Sequence, residues 1–213
     1  MNLIRKPIVP TIKQNEYIDS ISSSKKIIVA TGPAGCGKTL FACQEAAKGF
    51  RDGEYNRIIV TRPTVAVDED IGYLPGGIDD KLGPWIHPMM DMLSLYFSSG
   101  ELERMKTRGT LEIAPLSFMR GRTFDDSFII ADEMQNSTVN QMKMILTRIG
   151  FNSKMIVTGD TEQSDLKDEM SGLVDFLERL RLSETQFIDE IELSDVDIKR
   201  HPVVNEIIEL YNV

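Results

Sequence analysis

Gly32-Pro33-Ala34-Gly35-Cys36-Gly37-Lys38-Thr39 is a complete match to the pattern G-x-x-x-x-G-K-[ST]. The apolar run Lys26-Ile27-Ile28-Val29-Ala30-Thr31 stands before it, and a helix pattern over Leu40 to Lys48 follows. A buried strand, a glycine-rich turn and a helix form the context in which this pattern cradles phosphate. Gly32, Gly35 and Gly37 let the backbone approach phosphate oxygens and aim its N–H groups at them, while the helix start adds the positive end of its dipole. Pro33, Ala34, Cys36 and Leu40 complete the loop and its entry into the helix. In this geometry Lys38 is expected to reach the β- and γ-phosphates, and the Thr39 hydroxyl to hold Mg2+.

The strand pattern recurs outward from the loop. Arg57-Ile58-Ile59-Val60-Thr61 reads as a buried strand that stops at Arg62-Pro63, because proline cannot extend the ladder. Ligands of open parallel sheets bind beyond the carboxyl ends of the strands, so Arg62 is expected on the functional edge. Thr110 to Ala114 reads as a third strand, followed by the basic corner Arg120-Gly121-Arg122, where two arginines flanking a glycine can clamp phosphate or form a solvated turn. Ser127-Phe128-Ile129-Ile130-Ala131 ends in Asp132-Glu133. A carboxylate at the end of such a strand is a Mg2+ ligand, which assigns Asp132, and Glu133 beside it can take a proton from attacking water.

Further along, Thr138-x-x-Gln141 is a capping box that starts a helix with Val139, Met142, Ile145, Leu146 and Ile149 on its inner side. Lys154 to Thr158 is another buried strand, ending in Gly159-Asp160-Thr161-Glu162-Gln163, where the Gln163 amide can sense a γ-phosphate. A helix carrying Leu173, Val174, Phe176, Leu177 and Leu180, a strand over Gln186 to Leu193 and a helix after Pro202 close the chain. Met90, Leu93 and Phe97 share a helical face, and His87 beside Pro88 reads as a packing residue. Near the start, Pro10 to Ile18 opens a helix. Its Gln14 has an amide that can both donate to and accept from an adenine edge, although spacing alone puts that residue on the surface.

Composition narrows the classes. The 213 residues, 41% of them hydrophobic, suit one globular domain over 1–213. Two cysteines, Cys36 and Cys43, form neither a zinc spacing nor a disulfide framework, and two histidines make a metal cluster improbable. No apolar run is of spanning length and Met1 to Lys13 lacks a signal-peptide pattern, so the expectation is a cytoplasmic protein without membrane contact. A net charge of −9 argues against generic coating of nucleic acid but leaves room for a local basic groove.

These motifs together resemble the PhoH-like ATPases over almost the whole chain. The matching segments are Gly32 to Thr39, Thr61-Arg62-Pro63, Gly72-x-Leu74-Pro75-Gly76 with Lys81 and Pro84, and Ala114-Pro115-Leu116-Ser117-Phe118-Met119-Arg120-Gly121-Arg122-Thr123. They continue with Asp132-Glu133-Met134-Gln135-Asn136, Leu146-Thr147-Arg148-Ile149-Gly150, Gly159-Asp160-x-x-Gln163 and Ser171-Gly172-Leu173. That family is similar in turn to the first motor domain of superfamily 1 helicases. The resemblance therefore implies an α/β, three-layer RecA-like P-loop NTPase with a mainly parallel sheet flanked by helices, using ATP and Mg2+.

The resemblance also implies adenine reading by Gln14 and a γ-phosphate arginine at Arg200, with Arg148 and Arg122 as alternatives. Met134 stands where the family commonly has alanine, and the Asp-Val-x-Arg-His ending appears stretched as Asp195 to His201. A helicase closes two RecA-like domains over its nucleotide, and this length holds one. Neighbouring subunits would supply the second side, which predicts a homo-oligomeric ring, such as a hexamer, acting on single-stranded RNA or DNA through Arg62, Arg120 and Arg122. A small-molecule kinase needs no G-D-x-x-Q box, and a regulatory module without turnover needs no general base. The absence of an Asn-Lys-x-Asp box disfavours a GTPase.

Overall fold

The apolar runs are strands buried on both faces, which is why they read as nearly continuous hydrophobic stretches rather than as alternation. In the computed structural model they are β1 (Ile27–Thr31), β2 (Arg57–Arg62), β3 (Leu111–Pro115), β4 (Ser127–Ala131), β5 (Lys154–Gly159) and β6 (Ile188–Glu192). The structure describes residues 9–64, 87–166 and 170–199, with Val203, Val204, Ile207 and Leu210 of a final helix. Gly72 to Pro84 and Arg200 lie outside the described residues.

All five pairings between these strands are parallel, in the order β3-β2-β4-β5-β1-β6. Side chains alternate across the pleat, so each strand feeds two cores. Ile28 and Ala30, Ile58 and Val60, Phe128 and Ile130, and Ile156 face one core, which is covered by α1 (Ile12–Ser22), α2 (Lys38–Arg51) and α3 (Ser99–Thr107). Ile27, Val29, Ile59, Ile129, Ala131, Met155 and Val157 face the other, which lies under α4 (Val139–Leu146) and α5 (Gly172–Arg181). The architecture is the expected α/β sandwich of helices around a parallel sheet.

Boundaries move by one to two residues at most elements, and the causes are local. α2 starts at Lys38, two residues before the apolar pattern, because Gly37 occupies the N-cap position in the left-handed region (φ 96°) and turns the chain straight into the helix. β6 begins at Ile188, since Gln186 belongs to the approach from α5. The Thr138 capping box is formed on both sides, Gln141 N–H to Thr138 Oγ1 at 3.3 Å and Thr138 N–H to Gln141 Oε1 at 3.0 Å. Within α4, Met142 and Ile145 are buried, whereas Val139, Leu146 and the following Ile149 are only half-buried. On the opposite face, Met89, Leu93 and Phe97 are the core residues and Met90 packs at their edge. His87 is exposed and does not pack, contrary to its sequence reading.

The strand order positions the chemistry. β5 lies between β1, which leads into the glycine-rich loop, and β4, which leads into Asp132 and Glu133. Both segments therefore emerge at the same carboxyl edge, about two strand spacings, or ~10 Å, apart. A 550 Å³ apolar cavity, lined in part by Phe151 and Phe187, opens at the opposite edge beside the amino ends of β1, β5 and β6.

Candidate functional site

The loop after β1 is built from three glycines with positive φ: Gly32 at 138°, Gly35 at 88° and Gly37 at 96°. Two of them are also required by the protein's own packing. A Cβ on Gly32 would lie 2.3 Å from the Leu193 carbonyl oxygen, and one on Gly37 would lie 2.9 Å from the Phe41 ring. Ala34 and Gly35 are exposed at the crest, while Cys36 turns inward and is fully buried. Burial pushes the Cys36 thiol up despite the neighbouring Lys38 ammonium. Lys38 folds over the loop, its Nζ donating to the carbonyls of Gly32 at 2.5 Å and Pro33 at 2.9 Å. Tyr17 Oη donates to the Lys38 carbonyl from beneath at 3.1 Å, and the Leu40 carbonyl accepts from Tyr96 Oη at 3.4 Å.

The acids arrive from β4. Asp132 is buried, and one of its oxygens, Oδ1, accepts from Thr39 Oγ1 at 2.7 Å and from Thr158 Oγ1 at 2.6 Å. Thr158 comes from the intervening β5, so three segments far apart in sequence converge on a single carboxylate oxygen. Glu133 follows in the left-handed region at φ 53°, a conformation that costs a non-glycine residue on the order of 1 kcal/mol. Its Oε2 accepts from Gln135 Nε2 at 2.7 Å, while Gln135 Oε1 accepts the Asp160 N–H at 3.1 Å. Gln135 thus joins the acidic pair to the loop after β5, which Asn136 braces further by exchanging two hydrogen bonds with Asp165 at 3.0 and 2.8 Å.

The Thr39 hydroxyl stands beside a strand-end carboxylate, next to a glycine-rich loop over which the Lys38 ammonium is folded, and this donor chemistry fits phosphate and a divalent cation. Mg2+ needs few protein ligands when phosphates supply others, so one hydroxyl and one carboxylate are a fitting set. The family described as PhoH-like protein matches residues 8–212.

The chain belongs to the PhoH-like protein family.

The PhoH-like protein of Bacillus subtilis is 44% identical over 205 residues, which are 96% of this chain and 63% of that protein. The PhoH-like protein of Mycobacterium tuberculosis H37Rv is 41% identical, covering 94% and 56%, and Protein PhoH of Escherichia coli K12 is 40% identical, covering 95% and 58%. This PhoH-like chain therefore spans roughly three fifths of the length of the curated relatives it matches. Among solved structures, the Pif1 helicase of Candida albicans is similar with a TM-score of 0.49 at 16% identity, covering 97% of this chain and 44% of that one. A Bacteroides Pif1 bound to single-stranded DNA gives 0.42 at 14%, covering 95% and 46%.

The remaining predicted residues of the PhoH-like chain divide into those close to the loop and those apart from it. Gln14 is buried, with 3% of its surface exposed, and this overturns its reading as a surface residue. Its Nε2 donates to the Cys36 carbonyl and to the Asp197 carbonyl, both at 2.9 Å, and its Oε1 accepts the Thr11 N–H at 2.9 Å. The amide is therefore a tie between the start of α1, the phosphate loop and the segment after β6. Asp197 completes the tie by accepting from Thr11 Oγ1 at 2.5 Å and from the Ser194 N–H at 2.9 Å. Burial alone would raise the Asp197 carboxyl, but these hydrogen bonds outweigh it and hold the group below its ordinary value.

Gln163 is exposed on the loop after β5, its N–H donating to the Asp160 carbonyl at 3.3 Å. Arg62 is half-buried at the end of β2. The pair at 120 and 122 is split: Arg120 is exposed, while Arg122 makes two hydrogen bonds to Glu112, at 2.5 and 2.7 Å, and lies 4.8 Å from the Phe124 ring centre. The hydrogen bond from Arg122 holds the Glu112 carboxyl below its usual range. Arg148 is bound within its own chain to the carbonyls of Met144 and Arg122 at 3.2 and 3.0 Å and to Thr147 Oγ1 at 3.1 Å.

Sequence reading assigns no site role to Thr158, Gln135 or Asp197. Thr158 was visible as a hydroxyl at the end of an apolar strand and Gln135 as a polar residue just after the acidic pair. Asp197 gave no local signal, because its partners lie 186 positions away at Thr11 and in the Ser194 turn.

Proposed function

We propose that this chain binds and hydrolyses ATP with Mg2+ and couples hydrolysis to movement along, or remodelling of, single-stranded nucleic acid, RNA being the favoured strand, as part of a homo-oligomer. The observation that carries the reading is the convergence of Thr39 and Thr158 on Asp132 Oδ1, at 2.7 and 2.6 Å, with Glu133 next in the chain. Family membership supports a nucleotide-binding P-loop fold for it. The relatives' additional length bears on partners and assembly, so the ring belongs to this proposal as well.

In this reading phosphate oxygens replace the Gly32 and Pro33 carbonyls as the partners of Lys38. Thr39 and Asp132 would hold Mg2+, which supplies charge neutralisation at the β- and γ-phosphates. Glu133 accepts the proton of the attacking water, and the hydrogen bond from Gln135 fixes the direction of its carboxylate. Thr158 keeps Asp132 facing Thr39. Gln163, on the loop that Gln135 ties to the acidic pair, reports whether a γ-phosphate is present. For Gln14 to read adenine, its amide must exchange one of its two carbonyl partners for the base, so nucleotide binding would loosen the tie to Asp197.

Lys38→Ala tests the nucleotide part. Loss of one charge-assisted contact to phosphate is expected to weaken Mg-ATP binding about 10- to 150-fold, as read by titration of a fluorescent ATP analogue. Unchanged affinity would remove Lys38 from the phosphates.

A further inference from the structure

The turn after β3 carries a feature that the arginine reading leaves unused. Residues Leu116–Met119 form a single 3-10 turn whose two apolar ends, Leu116 and Met119, are buried, so the middle pair points outward. Ser117 is exposed, and Phe118 is 54% exposed although a phenylalanine here could have packed inward as its neighbours do. Arg120 follows, exposed and without an ion-pair or hydrogen-bond partner among the described residues, in contrast to Arg122, Arg57 and Arg148. Beside this turn a groove of 540 Å³ is lined by Ser117, Arg120, Asn140, Gln141 and Met144. Among the described residues no carboxylate lines it, in a chain whose net charge is −9.

The groove holds donors and apolar surface in one place. The Gln141 carbonyl oxygen is used by the capping box, its NH2 has no hydrogen-bond partner among the described residues, and the Asn140 side chain is exposed. The groove lies at the carboxyl edge of β3, the edge strand, about four strand spacings or ~19 Å along the sheet from β1 and its loop. It is therefore separate from the nucleotide site yet connected to it, because α4, which supplies Asn140, Gln141 and Met144, follows Glu133 by way of one short turn and Thr138.

We propose that Phe118 is a stacking platform for an unpaired base of a single-stranded nucleic acid, with Arg120 on the adjoining phosphate and the Asn140 and Gln141 amides along the groove. An exposed aromatic ring beside an uncommitted arginine suits a single strand, whose bases offer free faces, and does not suit a duplex, whose bases are stacked on each other. The amides face edges of every base type, so the site discriminates little between sequences. The inference rests on the nucleic-acid part of the reading above and adds to it the residue that senses the base.

The test uses the full chain and fluorescence anisotropy with labelled oligouridylate and oligothymidylate of about twelve nucleotides. A duplex and a strand of the same length made wholly of abasic sites complete the set. The unaltered chain is expected to bind either strand more tightly than the duplex and more tightly than the abasic strand. Phe118→Ala is expected to lose about 5- to 150-fold in affinity for the base-bearing strands, to narrow the gap to the abasic strand, and to keep the salt slope. Phe118→Trp restores binding. Arg120→Ala instead weakens base-bearing and abasic strands alike and lowers the salt slope by about 0.7.

If the unaltered chain binds strands but Phe118→Ala matches it on every ligand, the platform is wrong and the nucleic-acid reading stands. If the unaltered chain binds none of them, both fall. If Phe118→Ala changes the sedimentation coefficient and not strand affinity, the ring belongs to a contact between copies and the platform is overturned.

Discussion

Glu133→Gln protein is expected to bind Mg-ATP as the unaltered chain does and to turn it over about 10²- to 10⁴-fold more slowly. Glutamine keeps the length and shape of the side chain and can still meet Gln135 Nε2 through its carbonyl oxygen, so the turn from Met134 to Asn136 and the contact to Asp160 should survive. What is lost is the basic oxygen. The left-handed backbone at Glu133 tolerates glutamine no worse than glutamate, so a folding defect does not compete as an explanation. Single-turnover hydrolysis with prebound ATP reads the effect directly, and a fall in kcat with an unchanged dissociation constant is the signature of a group that acts on the transition state. Wild-type turnover would take the base away from Glu133.

Arg200→Ala is expected to lower turnover by about 10³- to 10⁵-fold with ATP still bound, the range typical of an arginine that meets developing charge on a γ-phosphate. The alternatives named from sequence are already occupied in their own chain. Arg122 spends its guanidinium on Glu112, and Arg148 spends its own on the Met144 and Arg122 carbonyls. Either would have to break these bonds to serve a neighbour, so Arg148→Ala should act first on the packing of α4 and less on turnover. If Arg200 acts between subunits, mixing Arg200→Ala with Glu133→Gln protein restores part of the activity, because some interfaces then pair an intact arginine with an intact base. Turnover near that of the unaltered chain in Arg200→Ala would take the γ-phosphate role away from Arg200.

The fold was legible because its strands are buried on both faces and its turns are marked by residues of fixed conformational meaning. Ile27 to Thr31 followed by Gly32 to Thr39 could belong to few other arrangements, and the Thr138 capping box announced the start of α4. The central pair of the site, Thr39 and Asp132, was legible for the same reason, since each ends or follows a recognisable strand. The ties that hold the site together were not. Gln14 reads as a surface residue in a short polar helix, and only the approach of Cys36 and Asp197 buries it. Arg122 reads as one half of a phosphate clamp, and only the register of β2 on β3, which brings Glu112 and Arg57 together, shows that it is engaged with the sheet edge. Such pairings depend on which strands become neighbours, and spacing along the chain does not encode that.

Hydrolysis at the Lys38, Asp132 and Glu133 site is expected to be coupled to a single strand bound elsewhere on the same sheet edge. The most direct measurement is the steady-state rate of phosphate release from Mg-ATP by the unaltered chain, alone and with saturating single-stranded RNA, single-stranded DNA or duplex, with Glu133→Gln as the blank. The expected result is a slow basal rate, a several-fold rise with a single strand that is lost at high salt, and little rise with duplex. A Mg-ATP hydrolysis rate that is the same with and without every strand at low salt would contradict it.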